Sequence, residues 1–228
     1  MIRAVLFDLD GTLLNREDSV KVFIERQYDK FYSYLNHIPR ETYISRFIEL
    51  EERGYVWKDK VFQQLVSEFG VTGLKWECLL RDYIQSFKDC CKPFSGLIEM
   101  LEKLKSMDLS LGIISNGYGD FQMNSIRSLG IERYFNVILI SEWEGMKKPD
   151  IRLFKKASDN LNVTPAECIF LGDHPWNDVQ AAVNSGMHGV WKKDDGWGEC
   201  YTEHTIQHLK EFPAIISKLN KQVRDIRR

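Results

Sequence analysis

The sequence predicts an α/β fold: an open parallel sheet covered by helices on both faces, interrupted near its start by a small all-α segment. Three observations carry this expectation. From residue 94 onward, short apolar runs of strand length alternate with amphipathic stretches of helix length, and strands separated by such helices imply a parallel sheet. One apolar run, at 4–7, stands apart near the beginning. Between it and the alternating part, from about 17 to 89, no Val/Ile-rich run occurs, and the segment reads as successive amphipathic helices.

Taken in order, Ala4-Val5-Leu6-Phe7 is uninterrupted apolar sequence that ends in Asp8 and a Gly11-Thr12 turn, the pattern of a buried strand. Four helices follow. The first, 19–37, carries Phe23, Tyr28, Phe31, Tyr32 and Tyr34 and is reset by Pro39. The second, 40–53, ends at Gly54; the third, 59–69, stops at Gly70; the fourth, 74–88, precedes Pro93. Joined by short turns, they are expected to form a compact bundle with the aromatic residues as its core. The predicted organisation is a sheet domain of 1–16 and 93–228 and a helical domain of 17–92. In the sheet domain, helices at 96–107, 119–129, 150–161 and 177–185 precede strands at 109–115, 135–140, 168–172 and 189–191. A last helix at 212–219 leads into the charge-rich residues 218–228, expected to fray.

Composition bounds the function. The 228 residues are 43% hydrophobic, enough for one large domain or two unequal ones. With 31 basic against 33 acidic residues the formal net charge is -2, which supplies no global field for a nucleic acid polymer or an acidic membrane. Recognition must therefore be local. Met1-Ile2-Arg3 leads straight into the first strand and no apolar run approaches membrane-spanning length, so a cytoplasmic location is expected. Cys78, Cys90, Cys91, Cys168 and Cys200 include no Cys-x-x-Cys pair and read as reduced, space-filling thiols. Neither a Walker loop nor a Gly-x-Gly-x-x-Gly turn is present, so nucleotide binding has no motif support. A serine hydrolase built on Ser115 and His174 would lack its Gly-x-Ser-x-Gly elbow.

The chemistry gathers at strand ends. In an open parallel sheet the carboxyl ends of the strands border the ligand crevice. Asp8 and Asp10 end the first strand, and alternation along an extended chain would send both the same way, with Leu9 opposite. Like charges so close are costly without a cation, and hard oxygen ligands suit Mg²⁺. Ser115-Asn116-Gly117 ends a second strand with a hydroxyl and free N–H groups that can hold phosphoryl oxygens, although such a turn also forms without a ligand. Lys147 and Lys148 precede the helix-starting Pro149-Asp150. In Gly172-Asp173-His174-Pro175-Trp176-Asn177-Asp178, a third strand ends in an acid that needs a partner if buried. Asp178 there fits a helix cap as well as a site role.

This set, Asp8-Leu9-Asp10-Gly11-Thr12, Ser115-Asn116-Gly117, Lys148-Pro149 and Gly172-Asp173-(four residues)-Asp178, closely resembles the haloacid dehalogenase-like (HAD) hydrolase superfamily, in order as well as content. The resemblance spans nearly the whole chain and implies a Rossmann-like parallel-sheet core with an all-α helical-bundle cap inserted after the first motif. It implies that Asp8 is the nucleophile that becomes an aspartyl-phosphate, and that Asp10 gives a proton to the leaving alkoxide and takes one from the attacking water. Mg²⁺ would be held by an Asp8 side-chain oxygen, the Asp10 backbone carbonyl and Asp173, with Asp178 behind these ligands or their waters. Ser115 and Lys148 would bind the transferring oxygens, assisted by Thr12 and the amide of Asn116. Lys148, next to proline, matches the family pattern better than Lys147. An acid at position 10 argues against dehalogenation, since family dehalogenases resemble this pattern but lack it. The expected function is Mg²⁺-dependent hydrolysis of a small phosphate ester, with a phosphomutase or a non-catalytic binding protein of the same fold as alternatives. A cap is expected to close over the crevice and to contribute contacts from Arg53-Gly54-Tyr55-Val56-Trp57-Lys58, with His174 and Trp176 walling the entrance and taking no catalytic role. The substrate and the oligomeric state stay open.

Overall fold

A computed structural model describes residues 1–226. The chain begins with β1 (Ala4–Phe7), all four residues buried, as their apolar run dictates. It then enters a helical insertion of α1 (Arg16–Lys30), α2 (Tyr32–Leu35), α3 (Arg40–Glu51), α4 (Lys58–Glu68) and α5 (Trp76–Ser86). The alternating part follows with α6 (Leu97–Ser106), β2 (Ser110–Ser115), α7 (Gly119–Ser128), β3 (Val137–Ile140), α8 (Ser141–Glu144), α9 (Ile151–Asn160) and β4 (Cys168–Gly172). A π-helical turn, Pro175–Gln180, runs into α10 (Ala181–Asn184), and β5 (His188–Lys192), β6 (Thr205–Ile206) and α11 (Phe212–Ile226) complete the described chain. Two compact units result: Met1–Asn15 with Pro93–Arg228, and Arg16–Lys92.

In the first unit the strands form one parallel sheet in the order β3-β2-β1-β4-β5-β6. The α/β architecture with a helical insertion between β1 and β2 is thus the one expected. β1 lies inside the sheet, Phe7 level with Ile113 of β2 and Leu171 of β4. The chain turns from one side of β1 to the other between β3 and β4, which makes the β1–β4 border the switch point where such sheets bind ligands. The strand pleat divides the core. Ala4 and Leu6 join a cluster with Ile114, Leu153, Phe154, Phe170 and Ala181, while Phe7 packs edge-on against Phe212 at 5.8 Å and Phe135 at 6.1 Å. Each fully buried ring contributes about 1.5–3 kcal/mol over leaving it in water.

The insertion has an aromatic core of Phe23, Tyr28, Tyr43, Phe47, Phe62, Tyr83 and Phe87, all buried, with Phe23 against Tyr83 at 5.1 Å and Phe47 against Phe62 at 5.4 Å. Of the aromatics expected there from the first helix, Tyr32 and Tyr34 are instead exposed, because they fall beyond the break at Phe31 on the short α2. Three of the four expected helices are shorter, while the third matches α4 in length. The segment 19–37 breaks at Phe31, whose non-helical φ of -103 and ψ of 20 separate α1 from α2. The helix expected to reach 53 ends at Glu51, because Glu52 and Arg53 turn left-handed at φ 45 and 54 before Gly54 at 97. Elsewhere, β6 is two residues long and too short to show a period. Helix α11 continues past 219 to Ile226, since the intervening sequence contains no proline or glycine to stop it; of the tail expected to fray, 227 and 228 lie outside the described residues. No described helix is long and apolar enough to cross a membrane, and all five cysteines are free thiols.

Candidate active site

The parallel register brings the ends of β1 and β4 level, so Asp8 follows Phe7 beside Gly172 and Asp173. The Asp8 backbone N–H donates to the Leu171 carbonyl at 3.0 Å, extending the ladder by one bond. Beyond Asp8 the chain coils on itself, Leu13 and Leu14 both donating to the Leu9 carbonyl at 2.9 Å. Two glycines permit close approach. Gly11 has φ +83, and a Cβ there would stand 2.5 Å from Asp173 Oδ2. At Gly172 a Cβ would lie 2.4 Å from the Asp178 Cβ.

Asp8, Asp173 and Asp178 are buried and each offers an oxygen within 4.8 Å of the others. Lys148, 3% exposed, lies among them, its Nζ donating to Asp8 Oδ1 at 2.5 Å and to Asp178 Oδ1 at 2.7 Å. Asp178 Oδ2 accepts from the His174 backbone N–H at 3.1 Å, so both its oxygens are engaged by the protein. Asp8 Oδ2, by contrast, is buried with no hydrogen-bond partner. Lys148 pairs with two of the acids and the buried Lys192 acts on Asp173 and Asp8 without an ion pair, so the three carboxylates still outnumber the ammonium groups around them. Burial pushes the Asp8 carboxyl up to about 6, Lys148 opposing and Asp178 adding to the shift. Asp173 is pushed well above the usual carboxylate range, by burial first and then by Asp8 and Asp178. For Lys148, burial works against the charge, but Asp178 and Asp8 outweigh it and raise its pKa. A buried, unpartnered carboxylate oxygen in an all-oxygen acidic set fits a hard divalent cation.

The structure brings together most of the expected residues but divides their tasks. Thr12 Oγ1 lies 3.5 Å from Asp173 Oδ1. The Asn116 side chain braces Lys148, donating to its carbonyl at 3.0 Å and accepting from its N–H at 2.8 Å. Of the two lysines, Lys148 is buried in the site and Lys147 is exposed. Asp10 is not one of the three clustered acids. Because β1 ends at Phe7, the pleat does not carry through to residue 10. The Asp10 carboxylate instead accepts from Gln122 Nε2 at 2.7 Å, and the same nitrogen donates to Ser115 Oγ at 2.6 Å. In the insertion, Lys58 is buried and donates to Glu51 at 2.9 Å, while Arg53 and Tyr55 are exposed. Among the candidates of that turn, Lys58 is therefore occupied inside its own unit.

Four residues here have no counterpart in the motif reading. Gln122, one turn into α7, is signalled only by its closeness to Ser115-Asn116-Gly117. Trp191 Nε1 donates to the Asp173 carbonyl at 2.6 Å, and Trp197 Nε1 to Asp173 Oδ2 at 2.6 Å. Lys192 Nζ donates to the Gly11 carbonyl at 2.9 Å and stands 3.4 Å over the Phe94 ring. No local pattern announces these three.

Residues 5–192 match the family model for haloacid dehalogenase-like hydrolases. Glyceraldehyde 3-phosphate phosphatase of Pyrococcus furiosus is 28% identical over 229 residues, covering 97% of this chain and 94% of that protein. Its counterpart in Methanocaldococcus jannaschii is 27% identical over 97% of this chain and all (100%) of that protein. Among solved structures, a HAD phosphatase from Thermococcus onnurineus superposes with a TM-score of 0.66 at 27% identity, over 94% of this chain and 98% of its own. YfnB of Bacillus subtilis, in its magnesium-bound form, shares the fold at a TM-score of 0.74 and 20% identity, over 95% and 99%. The matched stretch holds every carboxylate and the lysine of the buried cluster, gathered around the ends of β1 and β4 where the sheet order reverses, and this chain belongs to the haloacid dehalogenase-like hydrolases.

Proposed function

We propose that this chain is a Mg²⁺-dependent phosphatase that hydrolyses a small phosphorylated metabolite through an aspartyl-phosphate on Asp8. The observation that carries the reading is the asymmetry of Asp8: Oδ1 is held by Lys148 while Oδ2 is buried and unpartnered. Asp8, the Asp10 backbone carbonyl and Asp173 would hold the ion, with Asp178 supporting them through Lys148 and the His174 amide. When bound, Mg²⁺ offsets the repulsion between carboxylate and phosphate and the charge that develops on the transferring oxygens.

Asp8 supplies the attacking oxygen: a bond forms to phosphorus as the ester P–O bond breaks. Asp10, oriented by Gln122, gives its proton to the departing alkoxide, then takes one from the water that cleaves the acyl phosphate and frees inorganic phosphate. Lys148 keeps its charge between two acids and, braced by Asn116, is placed with Ser115 and Thr12 to bind the phosphoryl oxygens. Support for a small metabolite as substrate comes from the relatives named for glyceraldehyde 3-phosphate and from the absence of any strong net charge.

The test is release of inorganic phosphate from p-nitrophenyl phosphate, with and without EDTA, by the native protein and Asp8→Asn. Activity should require added divalent cation and should fall by roughly three orders of magnitude or more in the variant. Turnover untouched by chelation, or retained by Asp8→Asn, overturns the mechanism.

A further inference from the structure

We propose that Trp197 is a positioning residue for Asp173, its indole N–H holding one carboxylate oxygen so that the acid is presented in a fixed orientation to a divalent cation. The proposal rests on the reading of Asp173 as a cation ligand. Trp197 lies outside the residues that match the family model, which end at 192, and it arrives from the turn Asp195–Trp197 that follows β5. That turn is built to hold its shape: Asp194 Oδ1 accepts from the Gly196 N–H at 2.8 Å, and Gly198 closes it at φ +78.

Asp173 needs such a donor more than its neighbours do. Lys148 donates to Asp8 and to Asp178, which leaves Asp173 the acid of the three whose side chain has no ion pair with that lysine. Its side-chain partners are Trp197 at 2.6 Å and Thr12 at the long distance of 3.5 Å. An indole N–H can donate but never accept, so it holds that oxygen in one direction and fixes the plane of the carboxyl group. The group is also held in place. The Trp197 ring lies against the His174 ring with centroids 4.6 Å apart and planes inclined by 33°. His174 is itself fixed, its Nδ1 accepting from the N–H groups of Trp176 and Asn177 at 3.1 Å. Trp191 adds a second indole bond to the backbone of the same aspartate at 2.6 Å. Two tryptophans from β5 and its following turn thus grip Asp173 at side chain and main chain, and Trp197 is the half-exposed one.

The consequence falls on cation affinity. Partners that orient a ligand from behind typically change metal affinity by about 10–100-fold. The experiment measures Mn²⁺ binding by electron paramagnetic resonance on full-length, chelator-stripped protein, comparing native chain, Trp197→Phe and Trp197→Leu. Phe keeps a ring against His174 and removes only the donor; Leu removes both. Both variants should bind Mn²⁺ roughly 10–100-fold more weakly, with phosphatase turnover recovered at saturating cation. Native-like or tighter binding in Trp197→Phe overturns the proposal, and so does a loss confined to Trp197→Leu, which would assign the effect to ring packing. Should the variants not fold, ¹⁵N spectra of the native protein decide: the Trp197 indole resonance should shift with Mg²⁺, and its failure to move is evidence against the bond's role. Absence of Mn²⁺ binding by the native chain strikes the cation-ligand reading itself, whereas binding shared equally by native and Phe proteins strikes Trp197 alone.

Discussion

Asp8 has two oxygens in different surroundings, and that difference is what a motif cannot encode. Because burial lifts its carboxyl to about 6, the sign of the pH effect follows directly. Below that value the group holds a proton that a cation must displace. Divalent-cation affinity should therefore weaken as the pH falls from neutral through 6, which calorimetric titration at a series of pH values will check; a flat profile would contradict the shift. Gly172 sets a second constraint at this scale. Its backbone is not left-handed, so Gly172→Ala acts by crowding alone, driving a methyl into the Asp178 Cβ at 2.4 Å. A loss of about 1–3 kcal/mol is expected from such overpacking, measurable by urea unfolding, together with a fall in turnover as Asp178 is displaced from Lys148.

At the scale of elements, the insertion is held by more than its aromatic core. Glu51, at the end of α3, pairs with Arg16 of α1 and with Lys58 of α4, whose ammonium also lies 5.6 Å over the Tyr83 ring. Burial alone would raise the Glu51 pKa, but Arg16 and Lys58 together outweigh it and leave the carboxyl below its ordinary value. A carboxyl with a depressed folded-state pKa adds stability above its unfolded pKa and loses it as the pH falls through the folded value. Glu51→Ala should cost about 3–5 kcal/mol at neutral pH, since two cations are left without their buried partner. It should also flatten the acid limb of the stability curve, as urea midpoints from pH 7 to 3 will show. Part of the aromatic core was legible from helical spacing, Phe23 and Tyr28 being buried, whereas Tyr32 and Tyr34 are exposed past the break that ends α1. The ion cluster was not legible: Arg16, Glu51 and Lys58 share no period and meet only when three helices pack.

For the molecule as a whole, three buried acids with one paired lysine, Lys148, and a second, Lys192, acting at longer range remain a repulsive arrangement that a bound cation would relieve. Mg²⁺ should stabilise the native state by about 2.7 kcal/mol at a hundredfold excess over its Kd, and EDTA should reverse this; calorimetric scans with and without chelator test it, and an unchanged midpoint would count against the cation site. What the sequence determined by itself was the alternation of strand and helix, the helical interruption after β1, the acids and hydroxyl at strand ends, and the lysine just ahead of the α9 start. Those features are local, written in periodicity and in the residues that end each run. Tertiary structure alone decided that Asp10 stands with Gln122 apart from the acid cluster, that one Asp8 oxygen is left unpartnered, and that Trp191, Lys192 and Trp197 close around the loops of Gly11 and Asp173. These contacts join residues far apart in the chain, and they depend on strand register and packing depth, which leave no trace in the spacing of neighbouring residues.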